Sequence, residues 1–389
     1  MKKLITLIGI IVLNLTSHTL PVYAEQEVQQ PEIQLFDQLE TEPLTDFWQE
    51  LRYDYEDYLP EINRLSVKEM ITNSSGLSIT SLFRAFFELT AHELMASSKL
   101  LGQLIVISLI SAFLKNMQAS FQSESVSTVA NLVLIILLTT LAIQSFTVVG
   151  ALITDVVSQI HSFVLALLPL LLGLMAMMGG ILSASFFHPV IITFLNITVV
   201  ITDKVVLPLI YFSLLLHLVS LLNKTFQLTK LADLLRQVAL GLLVICLSVF
   251  LTVLSAQGAI SSVQDGLTVK TTQFVTNNFI PVVGRMFSEA TDTIFATTQI
   301  LKNGLGVFGF IFILLMVAVP IIKVAIIGLS YKLVAAILQP IGEVQIVKSA
   351  TAISEHIFYL LAALLVVSFM FVMTIVILLV ASNLTLMMR

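Results

Sequence analysis

The sequence predicts an all-α membrane protein: a polytopic transmembrane helix bundle with broken or re-entrant helices, preceded by a short amphipathic extracytoplasmic region. Three observations lead there. Hydrophobic residues make up 57% of the 389 and charged residues only 11%, against about 25% charged in a typical soluble domain. A compact domain cannot hide that much apolar surface, so the bilayer is its natural solvent. From Thr128 to Leu222 the formally charged side chains are Asp155, Asp203 and Lys204 alone. Finally, the N-terminus carries the pattern of a secretory signal peptide.

That signal pattern occupies residues 1–24. Lys2 and Lys3 form the positive start, Leu4 to Leu15 the apolar core, and Val22-Tyr23-Ala24 the cleavage site. Cleavage after Ala24, or retention as an anchor, leaves residue 25 outside the cytoplasm either way. Residues 25–98 form an acidic extracytoplasmic region. Half of the acidic side chains lie between Glu25 and Glu61, so the net charge of −5 belongs to this head. Residues 25–43 read as a Gln/Glu-rich linker. Leu44, Phe47, Trp48, Leu51, Tyr55 and Tyr58 then recur at helical spacing, and Pro60 ends the run. This aromatic stripe packs on its own protein, on a partner or at the membrane surface. A second amphipathic helix follows the Asn73-Ser74-Ser75-Gly76 turn, with Ile79, Leu82, Phe83 and Phe86 on one face.

Residues 99–389 form the membrane domain. Leu100–Leu114 is short for a hydrocarbon core of about 30 Å, so the first span extends beyond it. Thr128–Gly150 and His161–Leu182 each fit a full span. Pro189–Ile201 and Val205–Leu222 are halves of an element interrupted at Thr202-Asp203-Lys204. Val238–Ala256 is another span. Gly304–Val319 and Ala325–Leu338 flank a break at Pro320 and Lys323, and Ile357–Val380 is the last span. Roughly five to nine crossings result, depending on whether the broken elements cross fully or re-enter. Placing Lys224, Lys230 and Arg236 in the cytoplasm obeys the positive-inside bias. It puts 257–303 outside and the C-terminus inside. Pro189–Ala256 and Gly304–Val380 then form two similar units of opposite orientation, as in inverted-repeat transporters; common hairpin packing explains the likeness equally well.

Little catalytic chemistry is legible. No Walker loop is present. His92-Glu93-Leu94-Met95-Ala96 starts like a zinc-protease helix, but Ala96 stands where the second histidine is required. Cys246 is the single cysteine, which excludes an intramolecular disulfide or a cysteine metal cluster. The scattered Lys and Arg form no nucleic-acid footprint. The expectation is a protein that is not an enzyme and holds no cofactor. The intramembrane charges Asp203, Lys204 and Lys323 are the candidates for a polar path, because a charge at that depth normally faces protein or water. Being adjacent, Asp203 and Lys204 are expected on different helix faces. Surface loops would also explain them. Phe279–Phe287 is too short to span, and Pro281 and Gly284 are expected to disrupt its helix. Trp48, Pro281, Gly284 and Arg285 are therefore candidate interfacial or partner contacts.

Four stretches carry a resemblance: Trp48 with Tyr58-Leu59-Pro60-Glu61; Phe186-Phe187-His188-Pro189-Val190-Ile191; Asn278-Phe279-Ile280-Pro281-Val282-Val283-Gly284-Arg285-Met286-Phe287; and Tyr331-Lys332-Leu333 with Gln339-Pro340. Together they resemble the stage III sporulation protein AE family of endospore-forming bacteria. The resemblance implies a multi-pass subunit of a complex linking mother cell and forespore, sited in the mother-cell membrane around the forespore. It implies partners in the other subunits, including a separate ATPase subunit, and a channel or secretion-like role. A transporter-like or pore-forming subunit and a non-conducting scaffold both fit that role. The family offers no catalytic residues to carry over.

Overall fold

The computed structural model describes residues 41–387, apart from 57–58, 73–78, 121–123, 223–227, 280 and 341. The signal-peptide and linker assignments for residues 1–40 lie outside the described residues. Among those described, every regular element is helical. The head comprises α1 (Glu42–Tyr55), a 3-10 turn (Pro60–Arg64) and α2 (Val67–Thr72). The bundle comprises α3 (Ile79–Ala96), α4 (Ser98–Ser120), α5 (Glu124–Met177), α6 (Ile181–Ile201), α7 (Leu207–Leu222), α8 (Thr229–Phe279), α9 (Pro281–Leu338) and α10 (Val344–Met387).

Pro43 opens α1 in the first turn, where its missing N–H costs nothing. The predicted apolar stripe of α1 is real and faces inward. Leu44, Trp48, Leu51 and Tyr55 are buried, while Glu42, Asp46 and Glu50 are exposed. Ser66 and Glu69 form a reciprocal capping box at the start of α2. Ser66 N–H donates to Glu69 Oε2 over 2.8 Å, and Glu69 N–H donates to Ser66 Oγ over 3.2 Å. These bonds favour the carboxylate and hold Glu69 below the ordinary glutamate range.

The head docks on the bundle through aromatic rings. Phe47 meets Phe163 of α5 edge-on at 5.8 Å, Trp48 lies 5.6 Å from Phe308 of α9, and Phe163 stacks on Phe312 at 3.9 Å. The Tyr55 hydroxyl donates to the Leu315 carbonyl over 2.5 Å. That carbonyl is one residue from Met316, whose carbonyl loses its intrahelical donor because Pro320 has no N–H. Pro320 does not break α9. The helix runs through it from Pro281 to Leu338.

Among the described residues, five helical stretches are long and apolar enough to cross a membrane: Leu132–Met177, Ile181–Leu221, Thr229–Thr268, Ile294–Leu338 and Val344–Asn383. A sixth is the pair Phe83–Ala96 and Ser98–Phe113, bent by 49°. This pair supplies the extra length that the short run at Leu100 requires. Thr128–Gly150 and the greater part of His161–Leu182, expected as two spans, instead share one helix, which ends at Met177. The cause is length: Leu132–Met177 has 46 residues, about 69 Å at 1.5 Å per residue, so one crossing can continue beyond the bilayer. The turn that ends it is a Schellman motif. Gly179 adopts φ 90°, Gly180 N–H reaches the Met175 carbonyl and Gly179 N–H the Ala176 carbonyl.

Contacts between distant residues fix the direction of each helix. The end of α2 lies against Gly304, and Lys302 donates to Asn383 Oδ1 over 2.9 Å, so these residues share the head end. At the far end, the Glu343 N–H contacts Ser111 Oγ at 3.4 Å. Successive crossings therefore alternate: α3–α4 away from the head, α5 back, α6–α7 away, α8 back, α9 away, α10 back. The C-terminus lies at the head end. This corrects the expectation of opposite sides, which followed from reading Gly304–Leu338 as two crossings or a re-entrant element where the structure has one crossing. It also corrects the inverted pair: α6–α8 and α9–α10 have the same orientation. Close approach of α9 to its neighbours needs glycine, because a Cβ at Gly306 would collide with Leu379 and one at Gly309 with Leu167.

Candidate functional site

The interruption predicted at Thr202-Asp203-Lys204 is a π-helical turn, Thr202–Val206, inside a continuous crossing from Ile181 to Leu221. The Leu207 N–H donates to the Thr202 carbonyl, the five-residue step that defines the turn. Pro208 gives the physical reason. It has no N–H for the Lys204 carbonyl, and the helix absorbs the defect by widening. Neither this element nor the one containing Pro320 is re-entrant, so the two breaks do not meet as re-entrant tips.

The widened turn presents Asp203 to α5. Thr154 Oγ1 donates to Asp203 Oδ1 over 2.9 Å, and Lys204 Nζ lies 2.6 Å from Asp203 Oδ2. Adjacent residues were expected on different faces; the wider turn lets the flexible lysine fold back. The pair is asymmetric, with the Asp203 side chain 26% exposed and Lys204 75%. Thr202 Oγ1 is buried without a hydrogen bond among the described residues. Beside the turn lies an open cleft of about 360 Å³, walled by α5, α7 and α10. Phe146, Thr147, Gly150 and Thr154 form one wall, while Leu207, Pro208, Tyr211 and Phe212 form another. Leu360 closes the back and Asp203 is its charged group.

Lys323 does not line this cleft. It is half-buried on α9 between buried Ile322 and Val324. The register between α5 and α9 is set by the contacts of Gly309 with Leu167 and of Tyr331 with Ser145, the latter a 2.9 Å hydrogen bond. It places Lys323 opposite Ile153, one residue from Thr154. The candidate charges thus share one depth, on α9 and at the π-turn, without contacting each other.

The candidate surface contacts fare differently. Trp48 is 1% exposed, and its indole N–H donates to the Leu65 carbonyl over 2.9 Å. It holds the head together and is not available to a partner. Backbone helix resumes at Pro281 and passes through Gly284, contrary to the expected disruption; proline fits because it occupies the first helical position. The Pro281, Gly284 and Arg285 side chains lie outside the described residues, so their contact role is untouched.

Sequence reasoning missed two further polar junctions. Asp265 of α8, 1% exposed, caps α6 from another helix, accepting the Leu182 and Ser183 N–H groups over 3.1 and 3.0 Å together with the Ser183 hydroxyl. A carboxylate at a helix N-terminus is favourable on both hydrogen-bonding and dipole grounds. His356, also 1% exposed, joins α7, α8 and α10. No spacing pattern marks either residue, because each partner lies on a different helix. No group of three potential metal ligands occurs among the described residues.

No solved structure matches the chain. The stage III sporulation protein AE of Bacillus subtilis strain 168 is 40% identical over 351 residues, covering 90% of this chain and 88% of that protein. The family model described as stage III sporulation protein AE matches residues 63–382, from the head through nearly all of α10. This chain belongs to the stage III sporulation protein AE family.

Proposed function

We propose that this chain is the transporter-like or pore-forming membrane subunit of a channel complex between mother cell and forespore, and that its polar path includes the Asp203 cleft. The observation that carries this reading is the exposure of charge at mid-helix depth. Lys204 is largely exposed beside the cleft and Asp155 is exposed on α5. A charge there costs several kcal/mol against lipid, roughly 3 on insertion scales. That face is therefore suited to water or a neighbouring subunit. π-turns recur at functional sites, and an open, partly polar cleft beside one suits passage better than a sealed apolar seam.

Orientation follows from charge. Lys230, Arg236, Lys332 and Lys348 lie at the far end of the bundle, and the acidic face of α1 lies at the other. With the positive end in the mother-cell cytoplasm, the head and C-terminus face the space between the two membranes. The protein acts in the mother-cell membrane around the forespore. It works without catalytic residues or cofactor and relies on other subunits, including a separate ATPase, for energy.

The test is sporulation with Asp203→Asn and Lys323→Met. Each removes a charge while preserving most of the side-chain volume. Normal protein abundance and complex assembly with impaired forespore development supports the path. Normal spore yield from both variants rejects it and favours a non-conducting scaffold.

A further inference from the structure

His356 sits where α7, α8 and α10 meet, and its hydrogen bonds can be counted proton by proton. Its Nδ1 lies 2.8 Å from the Ala352 carbonyl and its Nε2 lies 2.9 Å from Ser213 Oγ. The Ser213 hydroxyl lies 2.7 Å from the Ala232 carbonyl of α8. Both ends of this chain are carbonyl oxygens, which only accept. Three links therefore need three protons. Ser213 supplies one. A neutral imidazole supplies one more, and an imidazolium supplies two. With a neutral ring, one link becomes two lone pairs facing each other at hydrogen-bond distance. With a charged ring, Nδ1–H serves Ala352, Nε2–H serves Ser213, and Ser213 O–H serves Ala232.

We propose that His356 is a proton-binding site, and that the three-helix junction in this structure is its proton-bound state. Loss of the proton removes one link of the chain that ties α10 to α7 and α8. The groups facing the ring from each element are known. On α7, His217 lies 5.9 Å away, centroid to centroid. On α8, Arg236 pairs with Asp233 over 3.1 Å and donates to the Tyr359 hydroxyl over 2.9 Å. On α10 itself, Tyr359 meets the ring edge-on at 5.7 Å, and exposed Glu355 is adjacent in sequence. On α9, Lys332 is directed to Phe358 instead. Burial, His217 and Arg236 oppose a charge on the ring, while the accepting Ala352 carbonyl and Asp233 favour it. Opposed influences of this kind suit a group that must both take up and release a proton. This inference stands apart from the Asp203 cleft and does not require it.

The test uses the full chain in lipid nanodiscs with 15N-labelled histidine. The His356 signals are identified by their loss in His356→Gln, or by their displacement in Ser213→Ala if the glutamine variant does not fold. Spin labels at Val219→Cys and Val344→Cys, in a Cys246→Ala background, report separation of α7 and α10 at the far end. Between about pH 4 and 8, acidification should convert His356 from one ring proton to two. The short-distance population should grow over the same interval, by at most tenfold per pH unit, the limit for one linked proton. Ser213→Ala should abolish the distance change while leaving a titrating histidine. A distance distribution that ignores His356 titration overturns the proposal, as does the same pH step persisting in Ser213→Ala.

Discussion

Gly304→Ala isolates the docking of the head. In an exposed helix interior this change is stabilising, by about 1 kcal/mol, since alanine loses less backbone freedom than glycine. Here the sign should reverse. A Cβ at 304 would fall 2.9 Å from the Ile71 carbonyl carbon and 3.1 Å from Ile71 Cγ2, and closer still to the carbonyl oxygen. The obstruction is backbone, which cannot rotate away as a side chain can. Overpacking of this kind costs about 1–3 kcal/mol. After the propensity gain of about 1 kcal/mol the net loss should be about 0–2 kcal/mol, towards the upper end because the obstruction is backbone, with α2 displaced from α9. Gly241→Ala is the control, because nothing lies within 4 Å of a Cβ there. Thermal unfolding in detergent, paired with limited proteolysis of residues 41–72, reads both effects. Gly304→Ala should unfold several degrees below wild type and expose the head to protease, whereas Gly241→Ala should match or exceed wild type. A Gly304→Ala protein as stable as the control, with a protected head, would refute the docking register.

Two further outcomes are expected. In a Cys246→Ala background, a cysteine appended after Arg389 and one at Glu42→Cys should react with an impermeant thiol reagent from the same side of the membrane, and Lys230→Cys from the other. Labelling of the appended cysteine together with Lys230→Cys would restore a seventh crossing. The capping box should be acid-sensitive. Because its hydrogen bonds hold Glu69 below the ordinary glutamate range, the stability it contributes is present above the unfolded-state value and is lost as pH falls through the folded one. The protection of α2 amides, relative to their intrinsic exchange rates at each pH, should therefore fall on acidification in wild type and much less in Glu69→Gln; an equal fall in both would exclude the box as the cause.

The sequence made the all-α membrane class legible because composition and run length are one-dimensional signals. The α1 stripe was equally plain, since Leu44, Trp48, Leu51 and Tyr55 repeat at helical spacing and all four are buried. Breaks were harder. Proline at 320 and charges at 203 and 204 look alike in sequence, yet neither interrupts its crossing: the first lies inside a continuous α-helix, the second within a π-turn. Both accommodations depend on local geometry or distant residues that hydropathy does not encode. Counting crossings from apolar runs then misplaced the C-terminus, because Ile294–Leu338 is one long crossing where the runs on either side of Pro320 read as two. Asp203 was identified as a polar-path candidate from its charge alone. Its partner Thr154 and the cleft were not, because a threonine in an apolar helix carries no distinguishing pattern. Asp265 and His356 stayed hidden for the same reason.

The most direct test of the central claim is the wetness of the Asp203 cleft within an assembled membrane. Thr147 lines the cleft, whereas the next residue, Val148, does not line it and is 52% exposed elsewhere on α5. Thr147→Cys and Val148→Cys, each in a Cys246→Ala background, should be treated with a small hydrophilic thiol reagent in membranes containing the complete complex. A water-filled path predicts rapid modification at 147 and little at 148. Equal reactivity at the two positions, or none at 147, would contradict it.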